Sequence, residues 1–162
     1  MLRIIYTFFI GIFFAIFIGV GISAFYPGPK YPDMPAVLKY CSPEIAQTAE
    51  KFNEYTIQSK QFDQAEKTYM QAEQLYNRNV STIAIIAAII LVTASLTLFK
   101  TILLLADGIL LGGVLTLGYS VIRGFGAEDN MFRFIIVSIG LIISLVLGWV
   151  KFIQPARKEE KV

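Results

Sequence analysis

The sequence predicts an all-α integral membrane protein: four transmembrane helices, with a long extracytoplasmic helical region between helices one and two. Three observations carry this prediction. The chain has 162 residues, of which 56% are hydrophobic and 16% charged, whereas a soluble domain carries about a quarter charged residues. Its mean hydropathy is +0.63, and the apolar residues gather into blocks long enough for the roughly 20 residues that cross a hydrocarbon core. A polar stretch between the first two blocks repeats its apolar residues at steps of three and four, the spacing of one helix face.

Composition also narrows the chemistry. There is no histidine, so imidazole is missing as a metal ligand or proton shuttle. One cysteine, Cys41, leaves no internal disulfide and no multi-thiolate site; it is expected to be an ordinary half-buried thiol. The net charge of +2 is spread over mixed, local charges, so no nucleic-acid partner is expected. No cofactor and no metal site is expected.

Residues 1–25 form the first span. Its apolar core runs from Ile4 to Phe25, longer than the ~7–15 residues of a signal peptide. Ile22-Ser23-Ala24 is a poor cleavage site, so an uncleaved signal anchor is expected. Phe8, Phe9, Phe13, Phe14 and Phe17 spread round this helix as lipid-facing or packing bulk. Residues 26–41 follow as a linker with prolines at 27, 29, 32 and 35. Each fixes its own φ and steers its predecessor away from α, which predicts an extended spacer leaving the membrane.

Residues 42–79 form the extracytoplasmic helical region. Ser42 suits a cap, Pro43 the first helical position and Glu44 the positive helix end. Ile45, Ala49, Phe52, Tyr55, Phe62, Ala65, Tyr69, Ala72 and Tyr76 mark the apolar positions. QAEKTYM followed by QAEQLYN repeats Ala65 and Tyr69 as Ala72 and Tyr76 one heptad later, the period of a seam for another helix. Tyr55, Phe62, Ala65, Tyr69, Ala72 and Tyr76 are therefore the candidate partner surface. The phase breaks near Ser59–Gln61, where a kink or hairpin is an alternative to one straight helix.

The apolar run 80–125 is about twice the length of a bilayer core, so it must fold back once. Lys100 and Asp107 bracket the fold point. The expectation is a helix at 80–99 with Lys100 at its negative end, a cytoplasmic interfacial turn at 100–107, and a helix at 108–125 capped by Asp107. Leaving Asp107 at depth costs about 2.5–3.5 kcal/mol on insertion scales. Residues 126–133 form a short extracytoplasmic loop in which Asp129 or Asn130 caps the last helix. Glu128 and Asp129 offer too few oxygens for calcium, which takes about six to eight. The fourth span covers 134–152, with Trp149 at interfacial depth, and 153–162 is a cytoplasmic tail.

Basic residues are denser on the side of the termini, with Arg3, Lys100, Lys151, Arg157, Lys158 and Lys161 in little polar chain. By density, though not by raw count, the positive-inside rule then predicts cytoplasmic termini, and the compact build without long loops suits a prokaryotic plasma membrane. Small residues recur every fourth position in the spans: Gly11, Ala15, Gly19 and Ser23; Ala84 and Ala88; Gly108, Gly112, Thr116 and Ser120; Gly140, Ser144 and Gly148. Such ridges let helix backbones approach closely in lipid, either within this chain or against another subunit.

No constellation of nucleophile, base and orienting group is present, so the expected function is non-enzymatic. The chain reads as a membrane scaffold presenting a helical surface to a protein partner or, as a homo-oligomer, to itself. The alternative is a small transporter, channel or accessory subunit with Asp107 as its ion- or proton-interacting group, near Ser95, Thr97 or Tyr119.

Overall fold

The computed structural model describes residues 1–40, 49–98 and 102–153. All its elements are helical: α1 (Leu2–Phe25), α2 (Ala36–Tyr40), α3 (Ala49–Leu98), α4 (Leu103–Phe125), α5 (Asn130–Gly148) and a π-helical turn, Trp149–Ile153. No strand occurs among the described residues. Among the described residues four helices are long and apolar enough to cross a membrane, the make-up of a multi-pass membrane protein. The chain divides into two compact units, one formed by Met1–Pro27 with Asn77–Val162 and the other by Gly28–Tyr76.

In the first unit α4 is the hub. Of its apolar window 44% is buried, against 11% for α1 and for α5. The reason lies in its small residues. A Cβ on Gly108 would stand 2.7 Å from Ile10 Cγ2, and one on Gly112 would stand 2.7 Å from Phe14 Cβ and 3.2 Å from the Gly11 carbonyl oxygen. From the other side, a Cβ on Gly11 would meet Leu111 at 2.8 Å. These contacts advance together along both chains, so α1 and α4 run parallel at backbone-to-backbone distance.

The antiparallel helix α3 packs on α4 through a narrow stripe: Val80, Ser81, Ala84, Ile85, Ala88, Val92 and Ser95 are all buried. Val92 Cγ2 would lie 2.9 Å from a Cβ on Gly113. Ile85 and Ala88 meet Leu117 and Ile136 in the central cluster, with Val121, Phe132, Ile139 and Ile143 packed against it. Large apolar side chains point the other way: Phe8, Phe17, Ile86, Ile90, Ile122, Phe134, Leu141 and Leu145 are all exposed. Small residues inside and bulky ones outside suit a lipid surround, where tight contact holds helices together.

Several boundaries differ from the expected ones. α4 begins at Leu103, not Gly108, and its N-cap is Ile102 with no side-chain cap. Asp107 therefore does not cap; it lies in the second turn, because the apolar 102–106 segment extends the helix instead of lying as a turn. α5 begins at Asn130, not 134, since Asp129 Oδ1 accepts from the Met131 amide at 2.9 Å. Its end passes into the π-helical turn that reaches Ile153.

In the second unit, α3 passes through Ser59–Gln61 as continuous helix, so no hairpin forms there; no Gly or Pro falls between Pro43 and Gly108 to interrupt it. The linker is not extended throughout. After Pro35 the chain closes into α2, with the Leu38 and Lys39 amides donating to the Pro35 carbonyl. Cys41, the expected cap at Ser42 with Pro43, Glu44 and Ile45, Lys100, and 154–162 of the expected tail lie outside the described residues.

A glycine series tests the close approach to α4. Gly112→Ala is expected to lower stability by about 1–3 kcal/mol through overpacking, while Gly118→Ala, whose Cβ would meet nothing within 4 Å, is expected to be neutral or better. Thermal unfolding in detergent micelles measures both; equal melting temperatures for the two variants would contradict the packing.

Candidate functional site

Each span is free of charged side chains through its middle, so charge collects at the two ends of the bundle. Along α4 the rise from Asp107 to Arg123 is about 24 Å, somewhat less than the ~30 Å hydrocarbon thickness. At the Asp107 end three helices bring their ends together. Lys151 Nζ, from the π-helical turn, lies 2.6 Å from Asp107 Oδ1. Arg3, at the start of α1, brings a guanidinium nitrogen to 4.0 Å from Oδ2. The two pairing side chains Asp107 and Lys151 are about a quarter exposed (26% and 25%) and Arg3 is 59% exposed. Two cations thus surround one carboxylate, level with the ends of α1 and α5.

The groups that an ion-carrying Asp107 would want as neighbours are engaged elsewhere. Ser95 is buried and its hydroxyl donates to the Ala106 carbonyl at 2.6 Å. Thr97 donates to the Thr93 carbonyl in its own helix. Tyr119 lies toward the other end, where its oxygen accepts from Arg123 Nε at 3.2 Å and its ring faces the guanidinium at 5.7 Å. There Arg123 also donates to Asn77 Oδ1 at 2.9 Å, and Asn77 is itself buried. Arg133 Nε donates to the Ala127 carbonyl at 2.6 Å.

A further lock joins Ser120 of the predicted ridge to Ser81, a residue that the sequence pattern does not single out. Ser81 Oγ donates to the Ser120 carbonyl at 2.8 Å and Ser120 Oγ to the Ser81 carbonyl at 2.7 Å. Their hydroxyls are 3.2 Å apart. Among the described residues no buried side-chain polar atom lacks a hydrogen-bond partner.

The predicted ridges divide. Gly108, Gly112, Thr116 and Ser120 are all buried on α4, as are Gly11 on α1 and Ala84 and Ala88 on α3. Ala15 is half-buried and Ser23 exposed, its hydroxyl donating to the Val20 carbonyl. Gly19 and Gly148 have open space where a Cβ would sit. Gly140 meets only Val121, at 3.8 Å, and Ser144 is exposed and donates to the Gly140 carbonyl.

In the Gly28–Tyr76 unit, much of the predicted partner surface is taken by the chain itself. The Tyr31 ring packs edge-on against Phe62 and Tyr69, with centroids 6.3 and 5.1 Å away. Its hydroxyl donates to Glu66 Oε1 at 3.1 Å, and that bond to a carboxylate holds the phenol pKa above its ordinary 10.0. A Cβ on Gly28 would lie 3.3 Å from the Tyr76 ring. The proline-rich segment thus covers part of the candidate partner surface. Tyr55 and Ala72 are half-buried and Ala65 is exposed.

Compared with known proteins, the chain matches no family model, no curated protein and no solved structure.

A double-mutant cycle tests the charged site. Asp107→Asn and Lys151→Met are each expected to destabilise the bundle, with a coupling energy of about 0.5–1 kcal/mol for this partly exposed pair. Denaturant unfolding in mixed micelles reads it; strictly additive effects would show that the 2.6 Å contact contributes nothing.

Proposed function

We propose that this protein is a non-enzymatic membrane anchor that presents its Gly28–Tyr76 unit to a protein partner or to a second copy of the chain. The observation that carries the reading is the state of Asp107. Within α1, α4, α5 and the apolar 80–98 part of α3 it is the single acidic residue, and both of its oxygens face cations at a bundle end. A carrier needs its acid where water and the transported ion reach it within the span. Here the nearby hydroxyls are turned to backbone carbonyls instead.

The bundle in this reading is a rigid foot. Its exposed Phe, Ile and Leu side chains meet the acyl chains, and its polar groups are used in holding helices together. Density of basic residues near the chain ends favours cytoplasmic termini, which puts the connection between the first and second spans on the extracytoplasmic side. There, Phe52, Ile57, Met70 and Leu75 remain exposed on α3 after the proline-rich segment has covered part of the aromatic seam. Those residues supply the apolar surface that a partner helix uses.

Reconstitution into proteoliposomes with an imposed pH gradient discriminates between anchor and carrier. The expected result is no protein-dependent proton or cation flux, for wild type and for Asp107→Asn alike. A wild-type flux that Asp107→Asn abolishes would overturn the anchor reading and establish transport.

A further inference from the structure

The end of the bundle that holds Asp107 also carries an open apolar groove of about 780 Å³, lined by Leu2, Arg3, Ile5, Tyr6, Phe9 and Leu104. Its volume is within the range of about 300–1,000 Å³ typical of small-molecule sites. The lining is almost all hydrocarbon, and Arg3 and Tyr6, both from the first turns of α1, are its residues with polar side-chain ends. Leu104, from the first turn of α4, forms the opposite wall.

The charge at this end is unbalanced. Among the described residues, Arg3 and Lys151 face the one carboxylate of Asp107. Lys151 approaches Oδ1 to 2.6 Å, a hydrogen-bond distance, whereas Arg3 stands 4.0 Å from Oδ2. At that separation Arg3 is an electrostatic neighbour and not a hydrogen-bond donor. Its side chain is 59% exposed, and its guanidinium is a planar fork of donors suited to phosphate oxygens. A cation at the boundary of an apolar groove matches an amphiphile that has an anion at one end and an acyl chain at the other. Basic pockets between membrane helices recognise lipid head groups in this way.

We infer that the groove holds one anionic phospholipid, its phosphate on Arg3 and one acyl chain along Ile5, Phe9 and Leu104. The inference rests on the membrane reading above but not on the anchor role. Binding of the phosphate brings the local charge to balance, with Asp107 keeping Lys151 oriented and the lipid taking the donors that Arg3 leaves unused. Tyr6 has an amphipathic ring of the kind that sits at head-group level. The lipid then contacts both α1 and α4 where their small-residue interface begins, at Thr7, Ile10 and Gly108.

Native mass spectrometry of the full chain released from detergent, with phosphatidylglycerol, phosphatidylcholine or glycerol phosphate added, tests this. Wild type is expected to retain one phosphatidylglycerol, and Arg3→Gln to weaken that retention by about five- to tenfold, with phosphatidylcholine retained weakly and equally by both. Leu104→Trp, which fills the groove and leaves Arg3 in place, is expected to lose phosphatidylglycerol as well, and it serves as the test if Arg3→Gln does not fold. Retention of phosphatidylglycerol unchanged in a folded variant, equal retention of phosphatidylcholine, or glycerol phosphate binding as tight as the lipid would each overturn the site. Alkaline carbonate extraction separates the failures: a chain that stays in the membrane but shows no lipid selectivity defeats the lipid site alone, and a chain released by carbonate defeats the membrane reading too.

Discussion

Close backbone approach to α4 is the constraint on which the bundle depends. Between helices in lipid there is no water to exclude, so association comes from contact distance and from interhelical hydrogen bonds. α4 provides both. Gly108 and Gly112 admit α1, Gly113 admits Val92 of α3, and Gly124 lies within 3.3 Å of Ile136 of α5 at the position of a missing Cβ. A side chain at any of these positions would push a neighbouring helix outward. The small residues of α4 thus set where three other helices lie, and the large residues are left to coat the exterior.

The same geometry explains how polar groups are accommodated. Close approach brings Ser81 and Ser120 to within reach of each other's carbonyls, and Ser95 to within reach of the Ala106 carbonyl. Thr116 and Ser144 donate to carbonyls one turn back in their own helices, as hydroxyls in helices commonly do. Charges are confined to the ends, where Lys151 and Arg3 meet Asp107 and Arg123 meets Asn77. The proposed anchor role rests on that distribution: a bundle whose polar groups serve its own cohesion is suited to holding something in place. The groove beside Arg3 then adds a point at which the surrounding lipid takes part in the same assembly.

Much of this was legible in the sequence, for reasons that can be named. The Gly108–Gly112–Thr116–Ser120 ridge is visible because side-chain size at helical spacing is itself the packing determinant. The same rule says which face is smooth, but not what covers it, so Gly19 and Gly148 read like Gly112 although no neighbour approaches them. The start of α4 differs from the expected one because capping preference identifies a side chain that suits a cap. It does not locate the first hydrogen-bonded turn, and Ile102 begins this helix without any cap side chain. Arg3 and Lys151 entered only as charges biasing orientation; their meeting at Asp107 depends on how α1 and α5 align with α4, which no local pattern encodes. The heptad seam announced that something packs on Phe62, Tyr69 and Tyr76. That Tyr31 and Gly28 of the same chain do so is a long-range contact between a proline-rich segment and a helix, and periodicity is silent about it.

The most direct measurement of the α4-centred arrangement is a disulfide cross-link across the serine lock. In a Cys41→Ser background, Ser81→Cys with Ser120→Cys replaces two hydroxyls that stand 3.2 Å apart, while Ile86→Cys with Ile122→Cys places thiols at two exposed positions of the same helices. Under mild oxidation in native membranes the first pair is predicted to close within one chain and the second to stay reduced. A serine-position pair that remains reduced, or that links only between chains, would contradict the packing of α3 on α4.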